Sequence, residues 1–231
     1  MKEKLSKKEF VRKLLQLRKS IYFLYQERQR IDKLKYFEKN LYNNGFRYIA
    51  GIDEVGRGSL AGPVVAAAVI FPKVDSIFIE HLKDSKKINR NRREHLIKII
   101  KEKSFDIGIG IVSPEVIDKI NIAQATFLAM KKAIINLNHC PDYILIDAFK
   151  IPSISIPQKN FIKGEEVSIS IAAASIVAKV YRDQLMYQYH NQYPFYQFNQ
   201  NVGYGTKDHL IAIKKYGICF LHRKTFKGVK Q

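Results

Sequence analysis

The run Gly51-Ile52-Asp53-Glu54-Val55-Gly56-Arg57-Gly58 places two adjacent carboxylates at the end of an apolar stretch, directly ahead of a glycine-flanked arginine. Two anions side by side repel unless a cation lies between them, and hard oxygen ligands of this kind favour Mg2+ or Mn2+. The glycines at 56 and 58 let a ligand approach the backbone and leave N–H groups free for a phosphate or a hydroxyl. The bland alternative is an acidic turn with a solvated arginine. A third acid, Asp147, closes a second apolar run, Tyr143-Ile144-Leu145-Ile146-Asp147. Alone, an acid in that place is as often a turn former or helix cap. Asp183 follows Ser175, Lys179 and Arg182 at helical intervals along roughly one face. Its competing reading is a surface ion pair with Lys179, four residues earlier.

These acids need a frame, and the hydropathy pattern supplies one. Residues 47–52 and 64–71 read as strands joined through a Gly-rich loop with a proline, a hairpin pattern. Residues 106–112 alternate Ile with Gly and read as a third strand, and 143–147 as a buried one. Helices are expected over 122–137, 168–189 and 206–215. Ala172 to Ala174 are small enough to let the middle one lie close on a sheet. Neighbouring strands followed by alternating helix and strand predict a mixed α/β sheet flanked by helices.

Ahead of this lies a segment of different texture. Residues 1–40 are strongly basic, and Phe10, Leu14, Leu17, Ile21 and Leu24 recur at spacings of three and four. That spacing is an amphipathic helix, with Ser6 as its expected N-cap and Glu9 as capping-box partner. A second helical stretch carries Leu34, Phe37 and Leu41 and is stopped by Asn43-Asn44-Gly45. The expected division is a helical extension over 1–45 and a catalytic domain over 46–231. Two readings of the extension stand: helices packed on the body with solvated basic faces, or an electrostatic arm for nucleic acid.

Across all 231 residues, 40 Lys and Arg against 21 Asp and Glu give a net charge of +19, which suits a phosphate backbone or an anionic membrane surface. Hydrophobic residues make up 46% of the chain, which excludes wholesale disorder. Cys140 and Cys219 are too few and too isolated for a disulfide framework or a zinc cluster. No apolar run is long enough to span a membrane, and Met1 leads into charged residues rather than a signal-peptide core. The expected location is the cytoplasm, with no membrane partner.

Five blocks, in order, resemble bacterial ribonuclease HII, the type 2 ribonuclease H family: IDEVGRGSLAGPVVAAAV (52–69), LKDSKKI (82–88), Asp147, SIAAASIVAKVYRD (170–183), and YGTKDHLIAIKKYG with HRKTF (204–226). Arg57 favours type 2, since the related type 3 enzymes lack it. The resemblance implies a ribonuclease H-like fold, a five-stranded mixed sheet with helices on both sides and a helical C-terminal region. It implies Asp53, Glu54, Asp147 and Asp183 as catalytic ligands of two divalent ions, Mn2+ or Mg2+, with Asp53 bridging. It further implies that Gly56, Arg57 and Gly58 read a ribose 2′-hydroxyl by their backbone while Tyr204 stacks on the next deoxyribose. The implied substrates are RNA–DNA hybrids and DNA duplexes containing ribonucleotides, cut on the 5′ side of the ribonucleotide to leave 5′-phosphate and 3′-hydroxyl ends. The enzyme is expected to act as a monomer.

Lys86, Lys87, His222 and Arg223 are expected to be phosphate contacts or local structure. Departures from the family pattern are Ser59 for the usual Pro, Ala148 where many members have Gly, Thr225 for Ser, and Lys163-Gly164-Glu165-Glu166-Val167. Two readings compete with a ribonuclease: a non-catalytic nucleic-acid module, which has no need of strand-end acids, and a related two-metal nuclease that cuts pure DNA.

Overall fold

The computed structural model describes residues 7–229 apart from 83, 84, 86 and 87. The expected cap Ser6 and the lysines Lys86 and Lys87 therefore lie outside the described residues. The centre is a five-stranded sheet of β1 (Ile49–Val55), β2 (Val64–Ile70), β3 (Asp106–Val112), β4 (Tyr143–Asp147) and β5 (Gln158–Phe161), in the order β3-β2-β1-β4-β5. The first three strands form an antiparallel meander, while β4 and β5 run parallel to β1. The sheet is mixed, as its element pattern predicts.

Strand β1 runs three residues beyond its expected end, so Asp53 and Glu54 sit inside the strand, opposite Ala67 and Ala66 of β2. Alternation then sends them to opposite faces. Gly51, Asp53 and Val55 face α5 (Ile169–Gln192), while Ala50, Ile52 and Glu54 face α4 (Pro114–Ile135). Helix α4 breaks at Asn121, whose φ of 65° is left-handed and whose Oδ1 accepts from the Ala123 and Gln124 N–H groups. The expected helix over 122–137 is thus its second half.

Helix α5 lies almost in the sheet. A Cβ on Gly51 would stand 2.1 Å from the Ser170 carbonyl carbon, so only glycine at this position allows the approach. The run Ala172 to Ala174 continues the contact and is fully buried. Ser168 caps α5 by accepting from the Ile171 N–H.

The N-terminal helices are not equivalent. Helix α1 (Lys7–Leu34) is exposed over residues 8–26, its Phe10, Leu14, Leu17, Ile21 and Leu24 included; it touches the body through Phe23, stacked on His81 at 5.2 Å, and is buried from Glu27 onward at Ile31 and Leu34. Helix α2 (Tyr36–Asn43) is anchored by Glu38, fully buried, whose Oε1 accepts from Ser168 Oγ at 2.6 Å and from the Ser170 N–H at 3.0 Å. A carboxylate at the start of α5 is favoured by the helix dipole. Burial still pushes the Glu38 carboxyl upward.

Two elements have no strong sequence signal. Helix α3 (Arg90–Lys103) buries only Leu96 and Ile100, and its cap Asn89 accepts from the Arg92 N–H. Edge strand β5 is polar and buries none of its residues. The short α6 (Phe198–Asn201) and α7 (Lys207–Tyr216, capped by Thr206) complete the C-terminal region around Met186, Phe198, Ile213 and Leu221.

Candidate active site

A cleft of about 500 Å³ opens at the ends of β1 and β4, lined by Asp53, Glu54, Asp147, Glu165, Lys179, Arg93 and Tyr204, with Ser85 and Ser175 beside them. Each acid arrives by a different route. Asp53 points toward α5 and accepts the Glu54 N–H at 2.7 Å. Glu54 leaves the opposite face and curls to the rim, where Arg57 meets its Oε1 at 3.4 Å. Its other oxygen, Oε2, is buried without a partner. Asp147 ends β4, and its Oδ1 accepts the Gly164 N–H at 2.7 Å. The next residue, Ala148, has a φ of 62°, in the region that favours glycine. That is the physical reason for the glycine many members of the resembled family carry there.

Electrostatically this is a strained place. Burial, followed by the charges of Glu54 and Asp147, pushes the Asp53 carboxyl well above its usual range, with Ser175 only partly offsetting them. Glu54 is also raised by burial and by Asp147, while Arg57 pulls it down. The donors are all carboxylate oxygens, one of them orphaned, and a divalent cation relieves both the repulsion and the missing partner. The residues fit such an ion chemically.

Asp183 stands one layer behind the others. Lys179 and Arg93, both on the cleft wall, hold its Oδ1 and Oδ2 at 2.7 and 3.4 Å. The ion pair with Lys179 is present, but it is buried rather than on the surface. Among the described residues no three acids, histidines or cysteines are gathered tightly enough to hold one ion as they stand. Arg182 does not share this face: fully buried, it donates to the carbonyls of Pro63, Ala61 and Val202.

Tyr204 lines the same cleft, and the glycine turn follows Glu54 directly beside it. Gly56 has a φ of 92°, and Gly58 opens onto free space. The Arg57 guanidinium lies 5.5 Å from the Phe149 ring. Tyr204 is half-buried with Arg182 at 5.7 Å from its ring centre. Leu60 and Ala61 N–H groups both donate to the Gly203 carbonyl, so the turn and the tyrosine segment are stitched together. Arg223 and His222 are not phosphate contacts: both are buried, Arg223 donating to backbone carbonyls and His222 facing His209 at 3.1 Å. They are local structure. Sequence reading missed Lys179 as a wall residue of the cleft, together with Arg93, Glu165 and Ser85. Only Lys179 carried a signal, its four-residue spacing to Asp183.

A mixed meander continued by two parallel strands, with acids at the ends of its two central strands, defines a nuclease of the ribonuclease H-like fold. A protein-family model described as Ribonuclease HII matches residues 50–229, and the chain belongs to that family. Ribonuclease HII of Caldanaerobacter subterraneus subsp. tengcongensis is 52% identical over 204 residues, 88% of this chain and 84% of the relative. That of Clostridioides difficile is 51% identical over 212 residues, covering 92% and 82%. The crystal structure of ribonuclease H2 from Pyrococcus horikoshii OT3 superposes with a TM-score of 0.68 at 23% identity, over 79% of this chain and 95% of that one, and shares the fold. The chain is accordingly a ribonuclease H, an endonuclease of a divalent-metal-dependent family.

Proposed function

We propose that this enzyme hydrolyses the RNA strand of RNA–DNA hybrids and cuts on the 5′ side of ribonucleotides embedded in duplex DNA, leaving 5′-phosphate and 3′-hydroxyl ends. The observation that carries the reading is one cleft lined by Asp53, Glu54 and Asp147 together with Tyr204. Asp53, Glu54, Asp147 and Asp183 would hold two divalent ions, Mn2+ or Mg2+. When bound, such ions supply an activated water and stabilise the leaving oxygen. Asp53, buried between Glu54 and Asp147, is suited to bridge them. Asp183, held by Lys179 and Arg93, would be the fourth of these ligands, and the two cations on the cleft wall are placed to meet a phosphate backbone.

Ribose selection is a separate task, because carboxylate-held metals cut many phosphodiesters. The 2′-hydroxyl can donate and accept, and the free N–H groups of the Gly56-Arg57-Gly58 turn are suited to donate to its oxygen. Tyr204 stacks on the deoxyribose that follows, so an RNA-to-DNA step is preferred.

The test is a DNA duplex carrying one ribonucleotide, beside an all-DNA duplex, with and without Mn2+ or Mg2+. Metal-dependent cleavage of the first alone supports the reading. Cleavage of both would make this a general DNA nuclease, and binding without cleavage would make it a non-catalytic module.

A further inference from the structure

Arg223 and Arg182 are both fully buried, and neither pairs with a carboxylate among the described residues. Buried guanidinium groups carry a large desolvation cost and normally take an acid as partner. Here every recorded acceptor is a backbone carbonyl, and those carbonyls belong to the segment that precedes β2 and to the residue before Gly203. Arg223 donates through Nη2 to Gly56 O at 2.7 Å, through Nη1 to Arg57 O at 2.9 Å, and through Nε and Nη2 to Gly62 O at 3.0 and 2.9 Å. Arg182 takes Pro63 O, Ala61 O and Val202 O at 2.9, 3.1 and 2.8 Å. Its Nε also lies where a Cβ on Gly56 would stand 2.3 Å away, so the turn rests directly on it.

Peptide planarity converts these bonds into a statement about the other face of the turn. All described peptide bonds are trans, so each N–H points opposite the carbonyl in its own plane. With the Gly56 and Arg57 carbonyls both drawn inward to one guanidinium, the N–H groups of Arg57 and Gly58 are turned outward. Neither N–H has an acceptor among the described residues. Only a planar fork takes two consecutive carbonyls this way, and an ammonium does not.

We infer that Arg223 is the positioning residue that presents the Arg57 and Gly58 amides to the ribose hydroxyl, with Arg182 fixing the same turn to the segment that carries Tyr204. The inference rests on the ribose-reading role proposed above and names what sets it. A third thread supports the tyrosine side. His209 Nδ1 meets Tyr204 O at 2.8 Å, which requires the proton on Nδ1 and makes Nε2 an acceptor for His222. His222 Nδ1 then accepts the Cys219 N–H at 2.9 Å.

The experiment compares wild type, Arg223→Lys, and Arg223→Ala with and without millimolar guanidinium. It reads kcat and KM on a duplex with one embedded ribonucleotide, affinity for an all-DNA duplex, and Mn2+ binding by calorimetry. Arg223→Lys should lose about tenfold or more in kcat/KM, the equivalent of one hydrogen bond, with Mn2+ binding and all-DNA affinity unchanged. Guanidinium should restore Arg223→Ala, and methylammonium should not. Unchanged kcat/KM in Arg223→Lys overturns the inference, as do equal losses in Mn2+ and all-DNA binding without rescue.

Should neither variant fold, amide exchange on wild type decides. The Arg57 and Gly58 amides should exchange freely in the free enzyme and become protected by the ribonucleotide duplex but not by all-DNA. Protection in the free enzyme, or none with either duplex, overturns the inference. If wild type does not distinguish the two duplexes at all, the failure lies with the proposed function instead.

Discussion

On one side of the Gly56–Gly58 turn lie the buried acids Asp53 and Glu54, and on the other the buried arginines Arg182 and Arg223. The acids are left unsatisfied: the carboxyl of Asp53 is pushed well up by burial and by its neighbours, and Glu54 Oε2 has no partner. The arginines are satisfied by seven donations to carbonyls. Burial, then the charge of Arg182, lowers Arg223 to about 9, which still leaves it charged at neutral pH. The difference separates two uses of a buried charge. An unsatisfied set favours whatever brings it opposite charge, whereas a satisfied set is a fixture that holds a shape.

Neutralising one member of each set is the strongest way to test that contrast. Asp53→Asn should cut turnover by about a thousandfold or more if it removes a bridging ligand, a loss of about 4 kcal/mol in transition-state stabilisation. It should also raise the melting temperature, because it removes like-charge repulsion. Arg182→Met should do the reverse. Leaving three carbonyls without a donor should cost about 3 kcal/mol or more of stability, read from urea midpoints. A stabilised Arg182→Met protein, or a destabilised Asp53→Asn protein, would break the comparison.

Tyr204→Ala touches the boundary between the regions. Removing one stacking ring should reduce cleavage at a single embedded ribonucleotide by about 1–3 kcal/mol and spare a long hybrid. Equal reductions on both substrates would make the ring structural. The histidine chain gives an effect on stability with a defined sign. Burial and the neighbouring His209 hold His222 down to about 4, against about 6.5 in the unfolded chain. As pH falls the unfolded chain takes the proton first, so stability is complete above about 6.5 and declines toward 4. His222→Gln should flatten that part of the stability curve.

The smallest effect on stability belongs to the exposed end of α1. Deleting residues 1–22 should change stability by about 0.5 kcal/mol or less, yet flatten the dependence of log affinity on log salt by about 0.9 for each phosphate that the shortened chain no longer neutralises. Deletion through residue 42 should abolish the fold, since it takes Ile31, Leu34 and Glu38 with it.

What the sequence discloses follows local chemistry. Asp53, Glu54 and Asp147 are legible because each ends an apolar run, and β1 to β4 because their apolar residues are contiguous or alternate. Strand β5, with sequence Gln-Lys-Asn-Phe, is stabilised by pairing to β4 rather than by burial, so no hydropathy rule finds it. Helix α3 turns only Leu96 and Ile100 to the core, too narrow a stripe to stand out among its charges. Arg182 and Arg223 illustrate the deeper limit. In sequence a charged residue reads as solvated, and only the three-dimensional convergence of distant carbonyls makes burial tolerable. Glu38 escapes notice for the same reason, its partners lying 130 and 132 residues away.

That last bond fixes an order of events in the cell. Glu38 leaves the ribosome long before Ser168 and Ser170, so during synthesis α2 can reach residues 71–75, through Tyr42 Oη on Phe71 O and Lys39 on Asp75, well before its buried carboxylate meets its partners. The docking of the N-terminal helices is thus completed only when α5 emerges. Because it is held from outside by contacts of long sequence separation, the stretch beginning at Glu27 is a piece of this enzyme suited to being supplied as a separate peptide, complementing a chain that lacks it.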